Sequence, residues 1–350
     1  MFSERLKLSR KRSGLSLHAL SSEMDNIASA QAIGKYERAE MMPSSTVAIA
    51  LADALDVTPS YLLSPSSISL ESVKFRKLSS TRARERAAVE ADVLDQVDRY
   101  LQVEEILGID TTEQDVPEGA PYRVSEMEDA EDAAASLRAA WNLGSVPIQN
   151  LTELLEARGV KVLKLHLPER VDGLNCRVHR LDGDDVPVVV CSTGKSVERQ
   201  RFTIAHELGH LVLDIPSTIS EEKAYHRFAG AFLAPQGELI RAVGRRRNNF
   251  GLDELIDTKR MFGISAAALV IRMRDLGIIK EGTQRAIFRG IGNNWRTEEP
   301  HPLNRKELPK RFRRLCRRAL AENEISDSKA AELLRLRVSD IDGFMIGSTS

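Results

Sequence analysis

Residues 198–214 read ERQRFTIAHELGHLVLD, in which His206 and His210 stand four apart with Glu207 beside the first. On a helix, positions i and i+4 share a face, so two imidazoles can grip one zinc ion while Glu207 faces the metal-bound water. That is the spacing of a zinc hydrolase, in which a carboxylate takes a proton as the hydroxide attacks a carbonyl. Phe202, Ile204, Ala205, Leu208, Leu211, Val212 and Leu213 make the segment apolar nearly all round, which predicts a buried helix. Two histidines at helical spacing also occur as hydrogen-bonded core residues, so a third ligand is the discriminating feature.

Catalytic zinc usually keeps three protein ligands and one open position. Residues 219–235, ISEEKAYHRFAGAFLAP, predict a second helix capped by Ser220, acidic in its first turn and stopped near Pro235. Glu222, Tyr225, His226 and Ala229 share one face of it. Glu222 is the expected third ligand and its neighbour Glu221 the alternative. Ala229 and Gly230 are expected to let the two helices pack closely.

The string RFTIAHELGHLVLD followed by ExxxxRFAGAFLAP resembles the ImmA/IrrE family of zinc metallopeptidases, over about Ala133 to Ile279. The resemblance implies that His206, His210 and Glu222 are zinc ligands and Glu207 the general base. His226 stands where many relatives have Asn. It could stabilise the oxyanion or replace a ligand, but a hydrogen bond that steadies one of the ligands is the preferred reading. A segment of the pattern K-x-x-x-G-I-S, here Lys259 to Ser265, is also similar to one in these relatives and is expected to pack beneath the site.

The elements that must position these residues follow from periodicity. Three strands are predicted before the zinc helix, at Val160–Leu167, Leu174–Leu181 and Val186–Cys191, the last two joined by a hairpin turn at Asp182-Gly183-Asp184-Asp185. Helices are predicted at Ala133–Trp141 and Leu151–Arg158. A small sheet edge beside a zinc helix can hold an extended peptide as an added strand, or it can merely support the helices.

Residues 1–64 carry a different chemistry. Leu6, Leu15, Leu17, Leu20, Ile33, Leu51, Leu55, Val57 and Leu62 recur with helical spacing and fit five short helices. Ser29, Ile33, Tyr36 and Glu37 resemble the S-x-x-x-I-x-x-Y-E segment of XRE-type helix-turn-helix domains. The resemblance implies binding of a double-stranded DNA operator, with Gln31 reading a base edge and Ser29 and Lys35 nearer the phosphates. Such domains commonly bind as homodimers. Residues 1–64 hold seven Lys plus Arg against seven Asp plus Glu, so there is no overall basic excess, and positive charge is concentrated in Arg5, Lys7, Arg10, Lys11 and Arg12. Pairing with a protein partner is the other reading of this domain.

At 350 residues with 42% hydrophobic content and a net charge of −1, the chain can build two or three cored domains and is committed to no polyelectrolyte partner. Three distant cysteines, Cys176, Cys191 and Cys316, argue against a disulfide scaffold or a cysteine metal site and for small buried residues. No signal-type segment and no long apolar run is visible, so a soluble cytoplasmic protein with no membrane partner is expected. The expected class is α+β: an all-α helix-turn-helix domain (1–64), a hinge, charged connector and acidic linker (65–132), a zincin-like metallopeptidase domain with a small sheet and active-site helices (133–280), and a helical C-terminal extension (281–350). The SPSSIS stretch reads as the hinge, and the alternating charges of Arg82–Leu107 as a solvent-facing connector or pairing helix. The basic run at 305–318, eight basic residues to one acid, reads as a solvated face, with nucleic-acid or acidic-partner contact as the alternative.

Together these readings predict a DNA-binding regulator with zinc-dependent endopeptidase activity. The resemblance implies a repressor or antitoxin-like protein as substrate. The competing expectation is a non-proteolytic XRE repressor or antitoxin that uses the peptidase fold as a sensor or pairing module.

Overall fold

Short hydroxyl side chains set the helix starts at the N-terminal end. Ser16, Ser29, Ser44 and Thr58 each accept a bond from the backbone N–H three residues on, satisfying a donor that the helix itself cannot. They open α2 (Leu17–Glu23), α3 (Ala30–Glu37), α4 (Ser45–Ala54) and α5 (Pro59–Leu63), which follow α1 (Phe2–Arg12). The structure, a computed structural model, describes residues 2–64, 68, 82–109, 119–180, 184–295 and 297–347. Most of the expected hinge at 64–69, residues 110–118 of the acidic join expected at 110–132, and the turn residues Asp182 and Gly183 lie outside the described residues.

Next in chain order come α6 (Ala83–Ile106), β1 (Tyr122–Arg123), α7 (Asp129–Ala140), α8 (Leu151–Ala157), β2 (Lys161–Leu165), β3 (Gly173–Val178) and β4 (Val186–Ser192). There follow α9 (Val197–Val212), β5 (Leu213–Asp214), α10 (Glu221–Leu233), α11 (Gln236–Val243), α12 (Leu252–Phe262), α13 (Ala266–Asp275) and α14 (Glu281–Arg289). The chain ends with α15 (Arg311–Ala321), α16 (Asp327–Leu334) and α17 (Ile341–Ile346). The class is α+β, with a helical N-terminal domain, a small sheet and a helical C-terminal region.

The chain divides into two compact units, one of Met1–Glu113, Cys176–Val188 and Lys310–Ser350, the other of Gln114–Asn175 and Val189–Pro309. In the first, Leu6, Leu20, Ile33, Leu51 and Leu62 are wholly buried and hold α1–α5 together. A second core joins Tyr100 and Val103 of α6 to Leu315, Cys316, Ala319 and Phe344. The solvent-facing reading of Arg82–Leu107 therefore fails, because α6 buries Val93, Asp95, Asp98, Arg99, Leu101 and Glu104 among others. Four of its charged residues, Asp95, Asp98, Arg99 and Glu104, are buried in pairs, while Arg82, Arg84, Glu85 and Glu105 stay exposed. Arg5 meets Asp98 at 2.9 Å, both 1% exposed; Tyr61 donates to Asp95 at 2.8 Å; Arg311 pairs with Glu104. Charge alternation marks a surface only when the partners are water and counter-ions, and here they are other helices.

The same correction applies to the basic runs. Arg10 makes a bidentate pair with Glu37 at 2.6 and 2.8 Å, and Arg12 donates to the Leu55 carbonyl at 2.9 Å. With Arg5 buried as well, much of the expected DNA-facing charge of α1 is structural. In α15, Leu315, Cys316 and Ala319 are buried and Arg313 and Arg317 lie over the Phe344 ring at 4.8 and 4.4 Å, so only part of that run is a solvated face.

The three-stranded sheet has the order β2-β4-β3, and β1 pairs in parallel with β5. The expected strands appear with slightly shifted ends, and α7 starts four residues early, at Asp129, where its carboxylate accepts from the Ser125 and Glu126 amides at 2.6 and 3.0 Å. Every residue of β4 is buried, consistent with its central place.

Candidate metal centre

The apolar pattern of α9 fixes it in the core, and buried ions fix its first two turns. Glu198 accepts from Lys259 at 2.6 Å, and Lys259 reaches Glu299 at 2.8 Å with almost no exposure of the three side chains. Glu299 also accepts from the Ala266 amide at 2.9 Å, while burial pushes its carboxyl above the ordinary range. Arg201 pairs with Glu307 and donates to the Gly263 and Ile148 carbonyls at 2.8 Å each. The segment Lys259 to Ser265 thus packs on α9, with Gly263 in the left-handed region at φ 62° and Ser265 capping α13.

One and two turns further along α9, His206 and His210 project toward α10, while Glu207 faces β3. The third residue between the histidines matters for this approach. A Cβ on Gly209 would lie 3.2 Å from both Phe228 Cδ1 and Tyr225 Cδ1, so glycine here lets α10 close on α9. The expectation that Gly230 does this is corrected: a Cβ on Gly230 would meet Arg272 at 3.2 Å instead, because that residue faces α13. Ser220 stands at the N-cap of α10 without a side-chain capping bond.

One potential ligand atom from each of His206, His210 and Glu222 lies within 4.8 Å of the others. His206 Nε2 and Glu222 Oε2 are 3.5 Å apart, close to the ligand–ligand edge of about 3.4 Å that tetrahedral zinc with bonds near 2 Å requires. Two imidazoles and a carboxylate with a fourth side left open are the donor set of a catalytic zinc site, so the residues fit that ion. His206 is buried, His210 partly buried and Glu222 exposed. Glu221 is exposed and does not belong to this group.

Glu207 is 1% exposed, and its Oε2 lies 4.0 Å from His210 Nε2, at the metal side but outside the ligand set. The same oxygen accepts a hydrogen bond of 2.6 Å from Asn175 Nδ2 on β3. Sequence reasoning missed Asn175. The available signal was the alternation Leu174, Cys176, Val178 on one face of β3, which sends Gly173 and Asn175 together to the other. His226 is exposed, its ring 4.7 Å from that of His206 and stacked on Phe202 at 5.6 Å. Tyr225, previously only one of a face, lies with its ring 3.6 Å from that of His210.

The cysteines are free and buried, and burial pushes the Cys176 and Cys316 thiols up to about 12 and Cys191 to about 11. Among the described residues none of the three belongs to the group of potential metal ligands.

At the N-terminal end, α2 and α3 form the two-helix motif. Ser29 spends its oxygen on the Ala32 amide at 3.2 Å, whereas Gln31 and Lys35 are exposed on α3.

Residues 155–274 match the family model of the IrrE N-terminal-like domain, a peptidase family, and residues 6–62 match a helix-turn-helix family model. The chain joins an IrrE N-terminal-like domain to a helix-turn-helix domain. The first match spans His206, Glu207, His210 and Glu222, and also Asn175. No curated protein and no solved structure matches the chain. Among the described residues no helix is long and apolar enough to cross a membrane.

Proposed function

We propose that this chain is a DNA-binding regulator whose second unit is a zinc endopeptidase that hydrolyses a repressor or antitoxin-like protein. The observation that carries this reading is the convergence of His206, His210 and Glu222 beside a buried Glu207 inside a peptidase-family domain. His206, His210 and Glu222 would hold the ion, which when bound lowers the pKa of its water toward neutrality and polarises the scissile carbonyl. Glu207 takes the water's proton as the oxygen attacks the carbonyl carbon, and returns it to the departing peptide nitrogen. His226, exposed with its ring 4.7 Å from that of His206, would either steady that ligand by a hydrogen bond or donate to the negative charge that develops on the carbonyl oxygen. β3 is an edge strand of the sheet and carries Asn175, which supports binding of an extended chain along it. The helix-turn-helix match supports binding to duplex DNA through Gln31 and Lys35, with Ser29 at the start of α3.

The test has two parts. Protein purified without chelator should carry about one zinc per chain, lost in His206→Ala and His210→Ala and weakened in Glu222→Ala, while Glu221→Ala keeps it. Glu207→Gln should retain zinc, fold and DNA binding yet lose cleavage by on the order of 100-fold to 10,000-fold. Undiminished cleavage and regulation in Glu207→Gln would replace the peptidase with a sensor or pairing module.

A further inference from the structure

Gly173 and Asn175 stand two apart on β3, so their side-chain directions coincide. At Gly173 the strand touches α9: a Cβ there would lie 2.3 Å from Thr203 Cγ2, 2.8 Å from the Val190 carbonyl oxygen and 3.6 Å from Glu207 Cγ. Only glycine permits this approach, and it leaves the next residue on the same face, Asn175, directly against the Glu207 carboxylate. The Nδ2–Oε2 distance is 2.6 Å, short for an amide donor. An ionised carboxylate is acceptor-only, so it is the NH2 half of the amide that must face it. Glu207 therefore has one oxygen tied from the sheet, on the side that also faces His210 at 4.0 Å.

We propose that Asn175 is a positioning residue: its amide fixes the rotation of the Glu207 carboxylate and keeps it on the side of His210, where the attacking water must lie. This inference rests on the peptidase reading above. Held from the strand by Asn175 and by burial of its stem, the carboxylate cannot swing away from the water's proton. Freed of Asn175 it samples orientations in which no acceptor is in reach. Such misplacement slows the chemical step without altering how the peptide is held. A hydrogen bond to a charged group is worth roughly a tenfold to hundredfold change in rate when it acts only on the reacting geometry.

The experiment compares Asn175→Ala, Asn175→Asp, Asn175→Gln and Glu207→Gln in the full chain, with zinc content and thermal melting recorded for each. The substrate is the member of a randomised pool of internally quenched peptides that the wild type cleaves fastest. Asn175→Ala is expected to lower kcat by roughly tenfold to hundredfold with KM within about twofold and zinc content unchanged. Asn175→Asp keeps the shape but offers no donor and a like charge, so it should fall at least as far. Asn175→Gln keeps the amide and should recover part of kcat. A separate readout needs no turnover: in metal-free protein, the stability losses of Asn175→Ala and Glu207→Ala should be non-additive, since both remove the same bond. Wild-type kcat in Asn175→Ala beside an inactive Glu207→Gln would overturn the positioning role alone. So would a change confined to KM, or additive stability losses. Full activity in Glu207→Gln, or no cleavage of any pool member by wild type, would overturn the peptidase reading and this inference with it.

Discussion

At the scale of single residues, the small side chains govern the candidate site as much as the chemical ones. Gly209 gives α10 its seat on α9, and Gly173 gives β3 its contact with Thr203 and Val190. The second is the tighter. Gly173→Ala forces a methyl carbon into space already filled by a methyl and a carbonyl oxygen, and overpacking of this kind typically costs about 1–3 kcal/mol. Denaturant unfolding should show that loss. Thr203→Ser removes the Cγ2 that lies 2.3 Å away but not the Val190 oxygen at 2.8 Å, so it should restore part of the stability and not all of it. Full additivity of the two substitutions would show that the strand simply moves.

At the scale of elements, α6 behaves as a core helix although its composition is that of a surface one. Asp98, Asp95 and Glu104 are each about 1% exposed, and each is matched by a cation from another segment, Arg5 for Asp98, Arg335 for Asp95 and Arg311 for Glu104, with Arg99 one turn along α6 also on Asp95. Removing one partner of a buried pair is worse than replacing both, because the remaining charge stays desolvated. Asp98→Ala should therefore destabilise the first unit by about 3–5 kcal/mol. Arg5→Met with Asp98→Leu should recover most of that, and the comparison of the two chains by chemical denaturation checks the assignment. If Asp98→Ala is silent, Arg5 finds water or another acceptor and the pair is ornamental.

At the scale of the whole molecule, the helix-turn-helix domain attracts DNA through few charges. Arg5, Arg10 and Arg12 are engaged within the fold, leaving Lys7 and Lys35 exposed, Lys11 partly so, and Arg38 exposed but paired with Glu40. Gln31→Ala should relax sequence preference, whereas Lys35→Ala should weaken binding to all duplexes alike and reduce the salt slope by about one. Arg5→Ala, by contrast, should lower the melting temperature and leave the slope of the folded protein unchanged. Binding measured by fluorescence anisotropy across a salt series separates the three outcomes. An equal change of slope in Lys35→Ala and Arg5→Ala would mean that Arg5 is not a structural residue.

What could be read from the chain alone was what covalent spacing enforces locally. His206 and His210 share a helix face because four residues make about one turn, wherever that helix is packed. Serine caps, the period-two strands and the left-handed Gly263 are equally local, and so the element order was largely legible. Glu222 was reachable because α10 follows α9 after a short connection. Contacts between distant segments were not. No pattern states that the charges of α6 face inward, since a charged residue has the same sequence signature whether its partner is water or a buried arginine. Nothing local distinguishes Gly209 from Gly230 as the point of closest helix approach. Asn175 and Glu207 are 32 residues apart, and their hydrogen bond depends on how β3 slides against α9, a register that the packing at Gly173 decides and that only the tertiary structure contains.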